Sequence, residues 1–249
     1  MKHEISRIRH ELVRRSLVIR HKEFVTPKML RLTLAGDELQ GFTSLASDDH
    51  IKMFAASEDG SAERRDYTPR RYDAEKNELI VDFAIHEAGP VTAWARAAKV
   101  GDTAEIGGPR GSLVVPQDFD WWLLIGDETA LPAIGRWIEE LPRSAPVTSL
   151  VSVTGSEEEE HSFASKAAHR ALWVHRPAAQ ADDPAPLLAA LKRLELPPGD
   201  GFIWIAAEGT VARALRRHVL EEMRHPMSWL KASGYWVKGR ADVSEKLEH

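Results

Sequence analysis

The chain has 249 residues, 43% of them hydrophobic and 29% charged, the balance of a globular protein with one large domain or two ordinary ones. Its 33 Lys and Arg against 38 Asp and Glu give a net charge of -5, which argues against general binding to a nucleic-acid backbone. With no cysteine there is no disulfide, no thiolate nucleophile and no cysteine-held iron–sulfur cluster.

The opening stretch MKHEISRIRHELVRRS is too charged for the apolar core of a signal peptide. No apolar run approaches the roughly 20 residues that span a bilayer, so a cytoplasmic protein without a membrane partner is expected. At the far end Leu247-Glu248-His249 reads as the start of an expression-tag scar and is left out of the fold.

From Leu17 to about Val115 the apolar stretches are short and partly alternating: MLRLTL (29–34), IKMF (51–54) and ELIVDFAIH (78–86), with Gly or Pro turns between them. That pattern predicts a small antiparallel barrel or sandwich. After Asp118 the period changes. WWLLIG, VTSLVSV, ALWVH and FIWIAA read as buried strands, and ALPAIGRWIEEL, PLLAALKRL and VARALRRHVLEEM as helices between or after them. In the last of these Val211, Ala214, Leu215 and Val219 fall on one helical face, with Thr210 placed as N-cap. Strands alternating with helices imply βαβ units and a parallel sheet. The expected domains are therefore 1–118 and 119–249, with the break in VPQDFDWW. The stretch from His175 to Pro186, rich in Ala, Asp and Pro, predicts a surface loop, and Glu157 to Glu160 a solvated loop after a strand.

The segment with the most conspicuous chemistry is RRDYTPRRYD, Arg64 to Asp73. Four arginines around a tyrosine and a threonine could simply keep a sheet edge soluble. They could equally form an anion clamp, since arginine offers a planar fork of donors to phosphate and tyrosine a flat apolar face with a polar tip. Other segments leave the same kind of choice open. Gly89, Pro90, Val91 and Thr92 look like the start of a helix whose free backbone N–H groups could cradle a pyrophosphate, or like an ordinary helix start. GDETALPAI follows a buried strand and opens a helix, where open α/β sheets bind ligands, yet it lacks the G-x-G-x-x-G fingerprint. The eleven histidines show no HExxH or similar metal-ligand spacing.

A barrel followed by a parallel α/β domain is the plan of ferredoxin-reductase-like flavoenzymes, and Arg65-Asp66-Tyr67-Thr68 resembles their flavin-binding Arg-x-Tyr-Ser/Thr motif. The likeness extends through GPVTAWARAAKVGDTAEIGGPRGS, LLIGDETALPAI, IWIAAEGTVARALRRH and GYWVKGR, from about Val18 to Arg240. Together these segments resemble the siderophore-interacting protein family, the FAD-dependent ferric-siderophore reductases.

The resemblance implies a six-stranded type of flavin-binding barrel and a nucleotide-binding α/β domain, with FAD in the cleft between them. NADPH or NADH would be the electron donor and a ferric siderophore the substrate, bound by a monomer. It places Arg65 on the flavin nucleotide's phosphate, Tyr67 on the isoalloxazine, and the Thr68 hydroxyl toward its N5 region. His86 would face the ribityl chain or phosphate, and Gly89 to Thr92 the pyrophosphate. The family's usual Ser is Thr92 here, which keeps the hydroxyl, while its usual Gly after the His is Glu87. Asp127, Glu128 and Thr129 would contact flavin or nicotinamide, and Trp236 would shelter the ring. For an anionic ferric chelate the expected residues are Lys52 and Lys238, then Arg240 and Arg136. Two basic residues usually follow the tail Trp; Val237 replaces one here. No side chain is expected to act as catalytic acid or base, because FAD carries the electrons. The alternatives are a general flavin or ferredoxin-type reductase, which should lack the GYWVKGR tail, and a noncatalytic siderophore binder, which would be colourless. Donor choice is open: after LVSVTG the chain supplies Ser156 and four glutamates, with Arg176 beyond the next strand.

Overall fold

The computed structural model describes residues 2–56, 62–85, 89–159, 163, 167–240 and 245–247. The chain divides into two compact units. One is Glu4–Val115 with Gly135–Trp137, and the other Met1–His3 with Pro116–Ile134 and Ile138–His249.

The first unit is built on β strands. In chain order these are β1 (Ser6–Arg9), β2 (Arg14–Thr26), β3 (Met29–Ala35), β4 (Ile51–Ala56), β5 (Ala62–Tyr67), β6 (Pro69–Asp73) and β7 (Glu78–Ala84). Helix α1 (Pro90–Ala97) follows, then β8 (Thr103–Gly107) and β9 (Gly111–Val114). Seven strands form one antiparallel sheet in the order β5-β4-β8-β2-β3-β7-β6, one more than a six-stranded plan, while β1 pairs separately with β9. Alternation explains the core, because successive side chains of a strand point to opposite faces. Leu17 and Ile19 of β2 are fully buried, as are Leu30, Leu32 and Leu34 of β3. Arg15 shares the inward face of β2, and its guanidinium is satisfied by main-chain carbonyls, the Glu38 oxygen at 2.8 Å and the Gly108 oxygen at 3.3 Å.

The second unit carries β10 (Trp121–Asp127), α2 (Leu131–Glu140, of which Gly135–Trp137 group with the first unit), β11 (Pro146–Val153), β12 (Ala168–His175), α3 (Ala185–Lys192), β13 (Gly201–Glu208), α4 (Gly209–Glu221), β14 (Leu230–Trp236) and β15 (Glu245–Lys246). The sheet order is β12-β11-β10-β13-β14-β15; the first five strands are parallel and β15 is antiparallel. Central strands β10 and β13 are buried along their whole length, the continuous apolar run of a strand covered on both faces. At Gly126 a Cβ would come 2.5 Å from the Ala130 Cβ and 2.6 Å from the Ala206 oxygen, so glycine permits the close turn from β10 toward α2.

Three local expectations are corrected. Helix α4 is capped by Glu208, whose Oε2 accepts from the Thr210 and Val211 amides; Thr210 lies inside the helix, because a carboxylate one position before Gly209 reaches those amides first. The 175–186 loop ends at Pro184, where α3 begins one residue later. Leu247 packs against the apolar core of the α/β unit beside β15, so this residue belongs to the fold, while 248 and 249 lie outside the described residues.

Candidate cofactor and substrate site

In β5, Arg65 and Tyr67 are two residues apart and so share one face of the strand, while Arg64 and Asp66 take the other. Arg65 Nη1 donates to Glu63 Oε2 at 3.0 Å and to the Arg64 carbonyl at 2.7 Å. Tyr67 packs its ring 4.4 Å from that of Phe83, and its hydroxyl lies 3.3 Å from Thr92 Oγ1. Burial pushes the Tyr67 phenol above its ordinary value of 10.0, although the Thr92 hydrogen bond and the Arg65 charge pull the other way. Thr68 is buried at the link between β5 and β6. Of the other arginines in this stretch, Arg70 is buried and structural, 3.8 Å from Asp82, which also takes a two-pronged bond from Arg31 at 2.7 and 2.8 Å.

Helix α1 starts at Pro90, with Gly89 as an extended N-cap and no side-chain cap bond. Proline at the first position and the lack of a capping side chain leave the first-turn amides oriented for an acceptor from outside the helix. Val91 and Thr92 are buried there. An arginine fork, a threonine hydroxyl, a helix N-terminus and an aromatic face thus suit a ligand with phosphates and a flat ring. That is the chemistry of a flavin nucleotide.

In the α/β unit the carboxyl ends of β10, β13 and β14 are tied together. The Asp127 carboxylate is buried and accepts from the Thr129 amide (2.9 Å) and hydroxyl (2.5 Å) through Oδ1, and from the Glu208 amide (2.8 Å) and Trp236 Nε1 (2.9 Å) through Oδ2. Beside it Glu128 Oε2 accepts from Arg176 Nη2 at 2.7 Å, and Arg176 is itself buried. Lys238 Nζ donates to Asp182 Oδ1 at 2.6 Å and to the Ala179 carbonyl.

Two family models match the chain: the siderophore-interacting FAD-binding domain over residues 18–64 and 56–113, and the siderophore-interacting protein over 119–239. An NADPH-dependent ferric-chelate reductase of Escherichia coli (strain K12) is 34% identical across 92% of this chain and 95% of its own length. The chain belongs to the siderophore-interacting protein family. A ferric vibriobactin reductase of Vibrio cholerae is 29% identical over 88% of each chain. The crystal structure of a siderophore utilization protein from T. fusca superposes with a TM-score of 0.90 at 32% identity, over 96% of this chain and 98% of that one. A ferredoxin NADP+ reductase from Neisseria gonorrhoeae, 16% identical with a TM-score of 0.62, shares the fold.

Within this family frame some expected residues converge and others do not. Tyr67 and Thr92 meet in the β unit and Arg65 shares Tyr67's face of β5, while His86 lies outside the described residues. Lys52 is inside β4 opposite Asp66, on the sheet face away from Arg65 and Tyr67, because it pairs in register with the outward Asp66 and not with its inward neighbours. Its Nζ donates to Asp66 Oδ2 at 2.8 Å. Arg136 is buried, its Nη1 bonded to Ser44 Oγ at 2.9 Å and to the Pro69 carbonyl at 3.0 Å. Arg240 is exposed.

The Asp127 carboxylate takes four donors from the protein. Both ionised oxygens together accept at about four sites. Glu128 is likewise engaged by Arg176. The acidic loop is less solvated than expected, since Glu158 is buried and Glu159 Oε1 lies 2.5 Å from His175 Nε2; Glu160 lies outside the described residues. Sequence reasoning missed Glu208, which caps α4 with one oxygen and takes the Lys238 amide at 3.3 Å with the other. The Glu-Gly-Thr step after an unbroken apolar strand was its only signal.

Proposed function

We propose that the protein is a ferric-siderophore reductase, a cytoplasmic monomer that moves electrons from NADPH or NADH through FAD to siderophore-bound Fe(III). The observation that carries the reading is the Tyr67–Thr92 contact at an α1 start that no side chain caps, with Arg65 on the same strand face as Tyr67, in a chain that matches the siderophore-interacting FAD-binding domain and siderophore-interacting protein families. FAD, when bound, supplies the step from a two-electron hydride donor to a one-electron iron acceptor.

The protein's own side chains then bind and orient. The guanidinium of Arg65 neutralises and grips phosphate, the Thr92 hydroxyl and the α1 amides take further phosphate oxygens, and Tyr67 presents its ring. Lys238 and exposed Arg240 attract an anionic chelate to the tail of the α/β unit. No proton need be moved by a side chain, because reduction of hard Fe(III) to softer Fe(II) weakens its bonds to oxygen donors and lets the metal go.

Arg65→Ala tests this reading directly. A hydrogen bond to a charged group contributes about 1.5–3 kcal/mol, and Arg65 already shares one nitrogen with Glu63. The FAD dissociation constant should therefore rise by about 10-fold or more, leaving a pale protein with an unchanged far-UV circular dichroism spectrum. Retention of FAD at wild-type affinity would remove Arg65 from the site.

A further inference from the structure

We propose that Asp127 is a positioning residue for the carboxy-terminal tail, acting through the indole of Trp236, and that it thereby sets affinity for the ferric chelate. The proposal rests on the functional reading above for its substrate, but not for its geometry.

The register of β14 is the first observation. Ala207 faces Gly234, yet Glu208 faces Trp236, so Tyr235 is an extra residue bulged out of the parallel pairing of β13 and β14. Without the bulge Tyr235 would oppose Glu208, and Trp236 would point to the other side of the sheet, since a one-residue slip exchanges faces. A bulge re-aims a side chain and is rare between parallel strands. Here it turns the indole toward the rim of the central strand.

The second observation is what the indole meets. Trp236 Nε1 donates to Asp127 Oδ2 at 2.9 Å, a bond between residues 109 apart in the chain. Asp127 ends β10, and β13 lies between β10 and β14 in the sheet, so the bond spans a whole strand. Thr129 and the Glu208 amide fill the remaining acceptor sites and fix the carboxylate in place. A buried, saturated carboxylate has no acceptor to spare for a ligand; its influence passes through the groups it holds.

The third observation extends the grip along the tail. Glu208 Oε1 accepts from the Lys238 amide at 3.3 Å while its Oε2 caps α4, so two adjacent buried acids anchor positions 236 and 238. The side chain of Lys238 emerges from this fixed backbone. Residues that hold a binding group to within a fraction of an ångström act on affinity although they touch no ligand.

A double-mutant cycle separates positioning from bulk structure. Trp236→Phe removes the indole N–H together with the pyrrole ring and keeps one six-membered aromatic ring; Asp127→Asn keeps size, removes the charge and replaces one acceptor oxygen by a donor NH2. In FAD-loaded enzyme each should raise KM for an anionic ferric catecholate about three- to tenfold, a larger factor than any fall in kcat. The double variant should be no worse than the worse single, because both act through one bond. In parallel, 5-fluorotryptophan-labelled protein gives a 19F resonance assigned to Trp236 by its loss in Trp236→Phe, and that resonance should shift in Asp127→Asn. Effects on KM that multiply in the double variant, or a 19F resonance indifferent to Asp127→Asn, would overturn the proposal. If Asp127→Asn does not fold, amide exchange in Trp236→Phe decides: faster exchange confined to 235–238 is expected, and unchanged exchange refutes it. An enzyme that reduces no ferric chelate at all would sink the functional reading, while the 19F shift would still report on the positioning.

Discussion

Lys238 Nζ lies 2.6 Å from Asp182 Oδ1, so the tail lysine meets solvent already carrying a counter-ion. The contact depresses the Asp182 carboxyl below its ordinary 3.8, first through the Lys238 hydrogen bond. Both side chains are nonetheless about half exposed, 40% and 47%. Exposed pairs of this kind contribute only about 0–1 kcal/mol, which a multiply charged chelate can outbid by offering several oxygens at once. Lys52 and Asp66 repeat the arrangement at 2.8 Å in the β unit.

Asp182→Asn should therefore improve the enzyme for one class of substrate. Removing the carboxylate leaves Lys238 its Ala179 carbonyl contact but no anionic competitor, and KM for an anionic ferric chelate should fall about two- to fivefold, the equivalent of up to about 1 kcal/mol. A neutral ferric chelate should show no change, and 1 M salt should erase the gain by screening. Steady-state kinetics with the two chelates at low and high salt measure it; equal KM values for wild type and variant with the anionic chelate at low salt would take Lys238 out of the binding path.

The Tyr67 hydroxyl and the Thr92 hydroxyl satisfy each other at 3.3 Å within the β unit. Tyr67→Phe leaves the ring against Phe83 and deletes that bond, which should cost about 1 kcal/mol and lower Tm by roughly 2–4 °C. Thr92→Ala should cost a similar amount, and the double variant little more than either single, because the two hydroxyls share one bond. Strict additivity in thermal unfolding would mean that each hydroxyl has its own partner.

How much of this was legible in the sequence depended on whether a residue's role was set by neighbours in the chain or across the fold. The change of period near Asp118 separated antiparallel from parallel sheet because side-chain alternation and βαβ spacing are local. Arg65 and Tyr67 fall on one face of β5 by the same local alternation, although the Arg-x-Tyr-Thr pattern became specific only in the company of the later segments. The face that Lys52 takes was not legible, because it depends on the register with Asp66, and register is a property of two strands. Arg136 looked like a free cation, whereas its guanidinium is occupied by the Pro69 carbonyl, 67 residues away. Asp127 was expected at a cofactor from its place at the end of a strand, and no local rule reveals that its acceptors go to Glu208 and Trp236.

Gly201 illustrates a packing constraint that the sequence hides altogether. It pairs in register with Trp121, and a Cβ built on it would sit 2.1 Å from the indole ring. The indole has little room to yield, since its Nε1 donates to the Gly199 carbonyl at 3.3 Å and the residue is buried. Gly201→Ala should destabilise by about 3 kcal/mol, the upper part of the range for overpacking, or roughly 6–12 °C in Tm. Adding Trp121→Leu should recover part of that loss by vacating the ring volume. A Gly201→Ala protein as stable as wild type in a calorimetric scan would contradict the close approach.

The last prediction concerns His3, which is buried between two carboxylates of the α/β unit. Its Nδ1 lies 2.6 Å from Asp118 Oδ1 and its Nε2 3.2 Å from Asp200 Oδ2, with the ring stacked 4.0 Å from Phe119 and edge-on to Trp229 at 5.3 Å. Only the protonated imidazole donates from both nitrogens. Burial works against that charge, but the hydrogen bonds to Asp118 and Asp200 outweigh it even with Lys2 nearby, so the pKa is raised above the ordinary 6.5. A raised folded pKa means that the contribution is fully present below the unfolded value of 6.5 and is lost as pH climbs through the higher folded value. The two aspartates behave in the opposite sense. Their values are depressed below 3.8, so their contribution is present above that value and is lost as pH falls through the folded ones. The contact is therefore strongest between about pH 4 and pH 6.5, the ordinary carboxylate and imidazole values. Urea unfolding of wild type and His3→Gln across about pH 5 to 9 should give a stability gap that is widest at the acid end and narrows steadily above neutrality. A gap that stays constant, or widens with pH, would show that His3 is held as a neutral ring by its stacking on Phe119 and not by its charge.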